Sequence, residues 1–224
     1  MKRVKGILLL LVFGSVLLLM GCGYSISVQN VSTELNNECV YTLDEEQLTA
    51  LELSGGVDVV VDSRIAKKQV RVLANTDDFS KLVVKAENGR LVISHKRNMG
   101  NKRFRLYIPS FDYRALAVSG GTDLEWYNCN VDELAVTVAG GADCEIKGRC
   151  NTLAVVVSGG ADIDFDELLA DDVSVVASGG ADVELHAVKS ITVTALSGSD
   201  ISIVGNPQIR GWNVSGGADV SLDR

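Results

Sequence analysis

Ser158-Gly-Gly-Ala-Asp162 is one of six copies of a short phrase that recurs along the C-terminal half of this 224-residue chain. The other copies occupy residues 119–123, 139–143, 178–182, 197–200 and 215–219. Their aspartates follow one another at intervals of 20, 19, 20, 18 and 19 residues. A nearly constant period indicates that each repeat is one structural unit, which buries its apolar face only by stacking on its neighbours. The sequence therefore predicts a solenoid.

Apolar and polar residues alternate on both sides of each glycine pair. In the repeat around Gly159 the apolar positions are Leu153, Val155, Val157, Ala161, Ile163 and Phe165. This period of two predicts strands with one face toward a core and the other toward water, and glycine suits the corners between them. At roughly 3.3 Å per residue a repeat makes a coil of roughly 60 Å, which fits a β-solenoid rather than a propeller blade of about 40 residues. The predicted fold class is all-β, a parallel β-helix with coils of about 19 residues.

The stretch from residue 51 to 110 is related to these repeats but less regular. It contains an early Ser54-Gly-Gly-Val-Asp58, and Asn88-Gly89 is typical of a type I′ hairpin turn. Its alternating segments predict strands at 69–73, 82–86, 91–94 and 104–108. We interpret it as a more irregular N-terminal β section of a single domain over 48–224, with repeat coils from about residue 111.

The N-terminus has the pattern of a signal peptide over residues 1–21. Lys2, Arg3 and Lys5 precede an apolar run of 14 residues over 7–20, which is short for a membrane span of roughly 20 residues. Leu19-Met-Gly-Cys22 resembles the bacterial lipobox, in which cleavage leaves an acylated cysteine at the new N-terminus. The prediction is a lipid anchor on Cys22 rather than an ordinary secretory leader, and acyl chains there would hold the protein on a membrane.

Residues 22–47 are polar and lack a clear period, so they are predicted to be a tether. No acidic residue closely follows Cys22. By resemblance to the sorting signals of Gram-negative lipoproteins, this implies the periplasmic face of the outer membrane.

Charge argues against nucleic acid as a partner. The signal segment holds three of the 21 basic residues and none of the 29 acidic ones, which leaves 18 against 29 and a formal charge of −11. A chain with this balance repels a polyanion.

The positions of the remaining cysteines indicate structural roles. Cys144 falls at an inward position of its repeat. Cys129 and Cys150 each precede an asparagine at comparable points of adjacent repeats, so they form either a disulfide or two buried free thiols. Cys39 has no evident mate, and no cysteine has the spacing of metal ligands.

Nothing in the sequence has the pattern of a catalytic site. His95 and His186 lie in different parts of the chain, outside any nucleophile–histidine pattern. The basic segment 95–103 is either a solvated hairpin loop or a contact for lipid phosphate. The prediction is a protein that is not an enzyme.

The feature with the clearest chemical implication is a column of carboxylates. If the coils stack in register, the repeat aspartates form a ladder about 4.8 Å apart, flanked two residues on by Glu125, Glu145, Asp164 and Glu184. Its members are Asp123, Asp143, Asp162, Asp182, Asp200 and Asp219. Each neighbouring pair would cost roughly 1 kcal/mol in water and roughly 3 to 4 at an effective dielectric near 20. Either N–H groups of the glycine turns and water relieve this repulsion, or divalent cations such as Ca²⁺ bind between coils. No other cofactor is expected.

Several of these segments together resemble the head GIN domain family of auto-transporter adhesins, over about residues 48–224. They are the repeated Ser-Gly-Gly-Ala-Asp phrase, Leu51-Glu-Leu-Ser-Gly-Gly-Val-Asp58, Asn88-Gly89 and Arg103-Phe-Arg-Leu-Tyr-Ile-Pro109. The resemblance implies a right-handed parallel β-helix on a bacterial lipoprotein and transfers no catalytic residue. Ser197-Gly-Ser-Asp200 departs from the phrase by one glycine, so an irregular corner is expected there.

The expected function is a lipid-anchored, non-enzymatic binding or adhesion module of the cell envelope, whose partner is an envelope protein or a glycan. A purely structural envelope protein is the alternative, followed by a carbohydrate-active β-helix enzyme. Trp126 and Trp212 both fall in the inward register, which argues against an aromatic platform for glycans.

Overall fold

The structure, a computed structural model, describes residues 34–45, 47–96 and 100–223 and confirms the all-β prediction. These residues form one 15-stranded sheet system and a single 3₁₀ turn at Phe79–Lys81. The strands are β1 (Asn37–Thr42), β2 (Ala50–Ser54), β3 (Asp58–Asp62), β4 (Gln69–Ala74), β5 (Leu82–Glu87), β6 (Arg90–His95), β7 (Phe104–Pro109), β8 (Ala115–Gly120), β9 (Asp123–Gly140), β10 (Asp143–Gly159), β11 (Asp162–Gly179), β12 (Asp182–Leu196), β13 (Asp200–Val204), β14 (Gln208–Ser215) and β15 (Asp219–Asp223). The predicted signal peptide and Cys22 lie outside the described residues.

The repeats stack as parallel coils, as predicted. Each of β9 to β12 runs 15–18 residues from a repeat aspartate almost to the next glycine corner, and each pairs in parallel with the strand one repeat away. The result is a β-solenoid of about 5 turns. Because the side chains alternate along each strand, every coil contributes one set to the interior and one set to the surface.

The corner glycines allow the coils to approach closely. Gly159 has φ +91°, and a Cβ there would lie 2.9 Å from the carbonyl oxygen of Gly140 on the coil below. A second corner, absent from the repeated phrase, turns at Gly148, where φ is +133° and a Cβ would lie 2.1 Å from the carbonyl oxygen of Cys129. Only glycine fits either point without moving the neighbouring backbone. The shortened corner is irregular, as expected, because Ser197 adopts φ +58° beside Gly198 at +77°.

The N-terminal section begins the solenoid and covers one end of it. β2 and β3 pair in parallel with β8 and β9, so they belong to the coil stack. β5 and β6 form the predicted antiparallel hairpin, with Asn88 at φ +53° and Gly89 at +73°. β1 pairs antiparallel with β4, although its residues fall within the predicted tether. That part of the tether prediction is corrected: residues 37–42 are part of the sheet.

A continuous apolar core runs through the stack. Trp126, Tyr113, Phe104 and Phe165 are among its largest fully buried side chains. Tyr113 packs edge-on against Trp126 with ring centroids 5.9 Å apart and donates a hydrogen bond from its hydroxyl to the Pro109 carbonyl at 3.1 Å. Each fully buried Val, Leu or Ile side chain contributes about 1.5–3 kcal/mol, so the core dominates the stability of the stack.

At the C-terminal coil, the inward-facing side chains are only partly buried. Trp212 continues the inward row of Val193, as predicted, but 42% of its surface is exposed because no further strand in the described residues stacks on β14. No helix among the described residues has the length and apolar character of a membrane span.

Candidate functional site

The repeat aspartates stand in one register. Parallel pairing joins each to the next along the stack, and it also adds Asp58 beside Asp123. The ladder therefore has seven carboxylates rather than the six predicted. Arg105 of β7 pairs with Asp58 on its other side and ends the column with a positive charge.

A second polar column lies two residues further along each strand. It comprises Glu125, Glu145, Asp164, Glu184, Ser202 and Ser221. Between the two columns runs an open depression in two segments of about 400 and 410 Å³. We call this surface, from Asp123 to Asp219, the acidic groove.

Strand alternation fixes the direction of these side chains. Leu124, Cys144 and Ile163 lie between the two columns in sequence and point into the core, where each is at most 2% exposed. Their neighbours on both sides must then point outward. The buried position of Cys144 confirms its prediction as a core residue, and burial raises the pKa of its thiol.

Three carboxylates of the groove, Asp123, Asp162 and Asp164, have a raised pKa. Partial burial is the main cause of the raised pKa at Asp123 and Asp162, and the neighbouring ladder aspartates add to it. Burial also raises the pKa of Asp164, together with its contact to Asp166. Neighbouring ladder aspartates thus disfavour the ionised forms of Asp123 and Asp162.

Basic and hydroxyl groups relieve only one end of the second column. Arg105 contacts Glu125 at 2.9 Å, and Lys147 contacts Glu145 at 3.0 Å. The Tyr127 hydroxyl lies between these two glutamates, 3.1 Å from one and 2.9 Å from the other. Across residues 34–45, 47–96 and 100–223, no ion pair joins a ladder aspartate to a basic side chain.

In the part of the chain that the structure describes, the N–H groups of Gly56 and Gly141 donate to neighbouring coils and not to ladder carboxylates. The N–H of Gly141 donates to the Gly120 carbonyl at 3.0 Å, and that of Gly56 donates to the Thr122 hydroxyl at 3.2 Å. These bonds tie coil to coil. At Asp219 the carboxylate accepts instead from the N–H of Val220, at 2.9 Å.

One cluster in the groove has oxygens close enough for a single cation to bridge. Asp164, Asp166 and Glu184 each place a carboxylate oxygen within 4.8 Å of the others. Asp166 lies outside the predicted ladder, and it joins the cluster because it follows Asp164 by two residues on β11, so strand alternation places both carboxylates on the same face. Binding of Ca²⁺ along the ladder remains a prediction.

Cys129 and Cys150 are buried free thiols in the structure. They do not stack on each other, since Cys129 pairs with Gly148 and Cys150 with Val131. Burial raises the pKa of Cys129 to about 12 and that of Cys150 to about 11, so both thiols are unreactive at neutral pH. The disulfide between them remains a prediction.

The rings of both histidines contact backbone carbonyl groups. Nδ1 of His186 is 3.0 Å from the Asp166 carbonyl, and Nδ1 of His95 is 2.8 Å from the Lys96 carbonyl. The first is near the groove but interacts with backbone. Residues 97–99 of the predicted basic segment 95–103 lie outside the described residues.

Comparison with known proteins agrees with this architecture. The profile of a family described as "Putative auto-transporter adhesin, head GIN domain" matches residues 47–207. Among solved structures, a "putative adhesin" from Bacteroides fragilis NCTC 9343 is 15% identical, with a TM-score of 0.62 over 86% of this chain and 99% of its own. No curated protein sequence matches.

Two further solved structures align less closely. A "putative adhesin" from Parabacteroides merdae ATCC 43184 is 12% identical, with a TM-score of 0.45 over 84% of this chain and 96% of its own. A "putative lipid binding protein" from Parabacteroides distasonis ATCC 8503 is 13% identical, with a TM-score of 0.49 over 84% and 98%. At these identities structural likeness shows the fold alone, whereas the family profile spans most of the sequence. The chain belongs to the head GIN domain family of auto-transporter adhesins.

Proposed function

We propose that this protein is a lipid-anchored, non-enzymatic adhesion module of the bacterial cell envelope, and that its acidic groove binds a basic segment of an envelope protein. Membership of an adhesin family supports the adhesion role. The lipobox-like ending at Cys22 supports the anchor, and the sequence that follows it supports the periplasmic face of the outer membrane.

The observation that carries the proposal is the in-register ladder of carboxylates. From Asp143 to Asp219 it has no basic partner among the described residues, and its central member Asp162 has a raised pKa. An ordered row of like charges costs folding free energy, and a cationic partner would remove that cost on binding. Complementary charge also speeds association with the correct partner and repels acidic ones.

The groove suits a protein better than a neutral glycan. Glycan platforms use exposed aromatic rings, but Trp126 is buried and the exposed Trp212 lies on β14, outside the groove. Tyr127 is 38% exposed at one end of the groove, but its hydroxyl is held by Glu125 and Glu145. Lys and Arg side chains, by contrast, donate to carboxylates with charge-assisted hydrogen bonds. A glycan partner and a purely structural role remain as outcomes of the test.

The test is cross-linking in intact cells followed by recovery of the full-length protein. Replacing Asp143, Asp162 and Asp182 together with asparagine should lower recovery of the cross-linked partner at least tenfold. The control neutralises three exposed carboxylates outside the groove, by Asp77→Asn, Glu87→Gln and Glu133→Gln, and should retain the partner. Equal loss of the cross-linked partner in both triple variants would show that binding depends only on net charge. No partner with wild type would favour the structural role.

A further inference from the structure

The outward face that precedes the glycine corners has no charge over five coils. It is formed by the three outward positions of each of β8, β9, β10, β11 and β12, which in β10 are Ala154, Val156 and Ser158. The other members are alanine, serine, threonine, valine and, at one corner, leucine. We call this surface the platform. In a mature chain with a formal charge of −11, it contrasts sharply with the acidic groove.

The platform carries exposed apolar side chains at its centre. Its middle column is Ala117, Thr137, Val156, Val176 and Thr194, joined step by step by parallel pairing. Val156 is 46% exposed and Val176 is 38% exposed. Regular pairing keeps these side chains in straight columns, so the two valines form a raised apolar strip.

The platform has a depression at the end opposite the valine strip. A shallow depression of about 230 Å³ lies over Ala115, Ala117 and Ala135. Glu52 and Arg90 bound it and form an ion pair at 3.0 Å. A strip and a depression on one surface are self-complementary under a two-fold axis, because each copy offers the other what it receives.

We propose that the platform is a homodimer interface in which two copies pack face to face. A two-fold axis between the levels of Thr137 and Val156 places Ala117 opposite Val176 of the second copy and seats the valines in the depression. Small side chains allow the two sheets to approach closely, at about 10 Å.

Charge and area both favour a second copy as the occupant. Two chains of charge −11 repel over their acidic surfaces, and the platform lets them meet without placing carboxylates against each other. The five coils of the platform and the adjoining β2 level, which meets β12 across the axis, make six levels. At about 4.8 Å per level and about 6.7 Å for each of three columns, they give about 29 by 20 Å, or about 1,150 Å² buried in total. Biological interfaces require about 1,000 Å², so this area suits a weak, reversible dimer. Added salt should strengthen it, because screening weakens the remaining repulsion.

The first test is sedimentation velocity of the full chain in density-matched detergent micelles. Wild type should be dimeric, and Val156→Lys should raise the dimer dissociation constant at least tenfold, because it buries a charge at the centre of the interface. Val188→Lys is the matched control: Val188 is 42% exposed on β12 but lies before the platform, so this variant should remain dimeric. A monomeric wild type, or equal dimerisation in Val156→Lys, would overturn the proposal.

The second test measures which residues of the two copies lie close together, and it does not rely on a disruptive variant. Ala117→Cys and Val176→Cys are made in separate chains, mixed and oxidised. Disulfide-linked heterodimer should exceed either linked homodimer at least tenfold, because the proposed axis brings residue 117 of one copy to residue 176 of the other. Absent or equal cross-linking among the three combinations would contradict the face-to-face arrangement.

Discussion

At the scale of single residues, the fold depends on a few points where two backbones nearly touch. The repeated phrase made the first glycine corner predictable. It gave no sign of the second corner, because Gly148 stands in a Lys-Gly-Arg context found in one coil only. That close approach results from a register shift between β9 and β10, which only tertiary stacking reveals.

Gly148→Ala should destabilise the protein strongly. The new Cβ would lie 2.1 Å from the Cys129 carbonyl oxygen at φ +133°, and backbone strain alone costs about 1–3 kcal/mol. Gly160→Ala is the control, since Gly160 has an ordinary φ and no atom within 4 Å of the new Cβ. Chemical denaturation would measure both. Equal unfolding midpoints for the two variants would show that the coils are not packed as described.

The two tryptophans show how far residue-level inference extends. Alternation placed both Trp126 and Trp212 in the inward register, and that register is correct. Exposure depends on whether another coil stacks above. Trp126 is 2% exposed between two coils, and Trp212 is 42% exposed on the last one.

At the scale of elements, strands with clear alternation were predictable and the weakly patterned one was not. The four strands predicted between residues 69 and 108 are present with ends that differ by one residue, and Asn88-Gly89 forms their hairpin turn. β1 was missed because its residues are half-exposed or exposed throughout, so no buried column marks it in the sequence. Only its pairing with β4 makes it a strand.

The alternation within β11 can be tested by two adjacent substitutions. Ile163 is fully buried, so Ile163→Asp places an unpaired charge among apolar side chains and should lower the free energy of unfolding by several kcal/mol, on the order of 3–5. Asp164→Asn should be mild, since Asp164 points outward beside Asp166. Urea denaturation compares the two. Similar midpoints would contradict the register.

At the scale of the whole molecule, charge is separated between surfaces. The sequence predicted six in-register aspartates, and the structure shows seven because β3 joins the stack at Asp58. The chain distance of 65 residues between Asp58 and Asp123 hid this neighbour. The platform could not be predicted from the sequence, because its residues have the composition of an ordinary polar strand face until the coils are aligned.

The ladder predicts how stability depends on pH. Burial and the neighbouring Asp143 and Asp182 raise the pKa of Asp162 above its value in the unfolded chain. The folded state therefore binds this proton more tightly, so ionised Asp162 costs stability at neutral pH and the cost disappears as pH falls through the raised pKa. Asp162→Asn should raise the melting temperature at pH 7, and the difference from wild type should shrink toward pH 4.

Asp171 provides a control of opposite sign for this pH series. Its contact with Lys189 lowers its pKa, so the ionised form stabilises the fold above its unfolded-state pKa and that stability is lost as pH falls. Asp171→Asn should lower the melting temperature at pH 7. A decrease with Asp162→Asn as well would mean that the ladder is not under repulsion.

The lipid anchor proposed on Cys22 would place the protein at a membrane. Cys22→Ser should prevent acylation, so the protein should appear in the soluble fraction or as an uncut precursor, whereas wild type should partition into detergent. Phase separation in detergent followed by mass spectrometry of the N-terminal peptide measures this. If the variant enters the detergent phase to the same extent as wild type, Cys22 does not carry the lipid.

Whether the acidic groove binds basic segments is tested by the binding of an oligolysine peptide to the full chain at about 0.15 M NaCl, where distant charges are screened. Wild type should bind at least tenfold more tightly than the Asp143, Asp162 and Asp182 triple asparagine variant, which corresponds to about 1.4 kcal/mol. Calcium at matched ionic strength should stabilise wild type no more than sodium chloride does. Equal peptide affinity for wild type and the triple variant would show that the acidic groove does not bind basic segments.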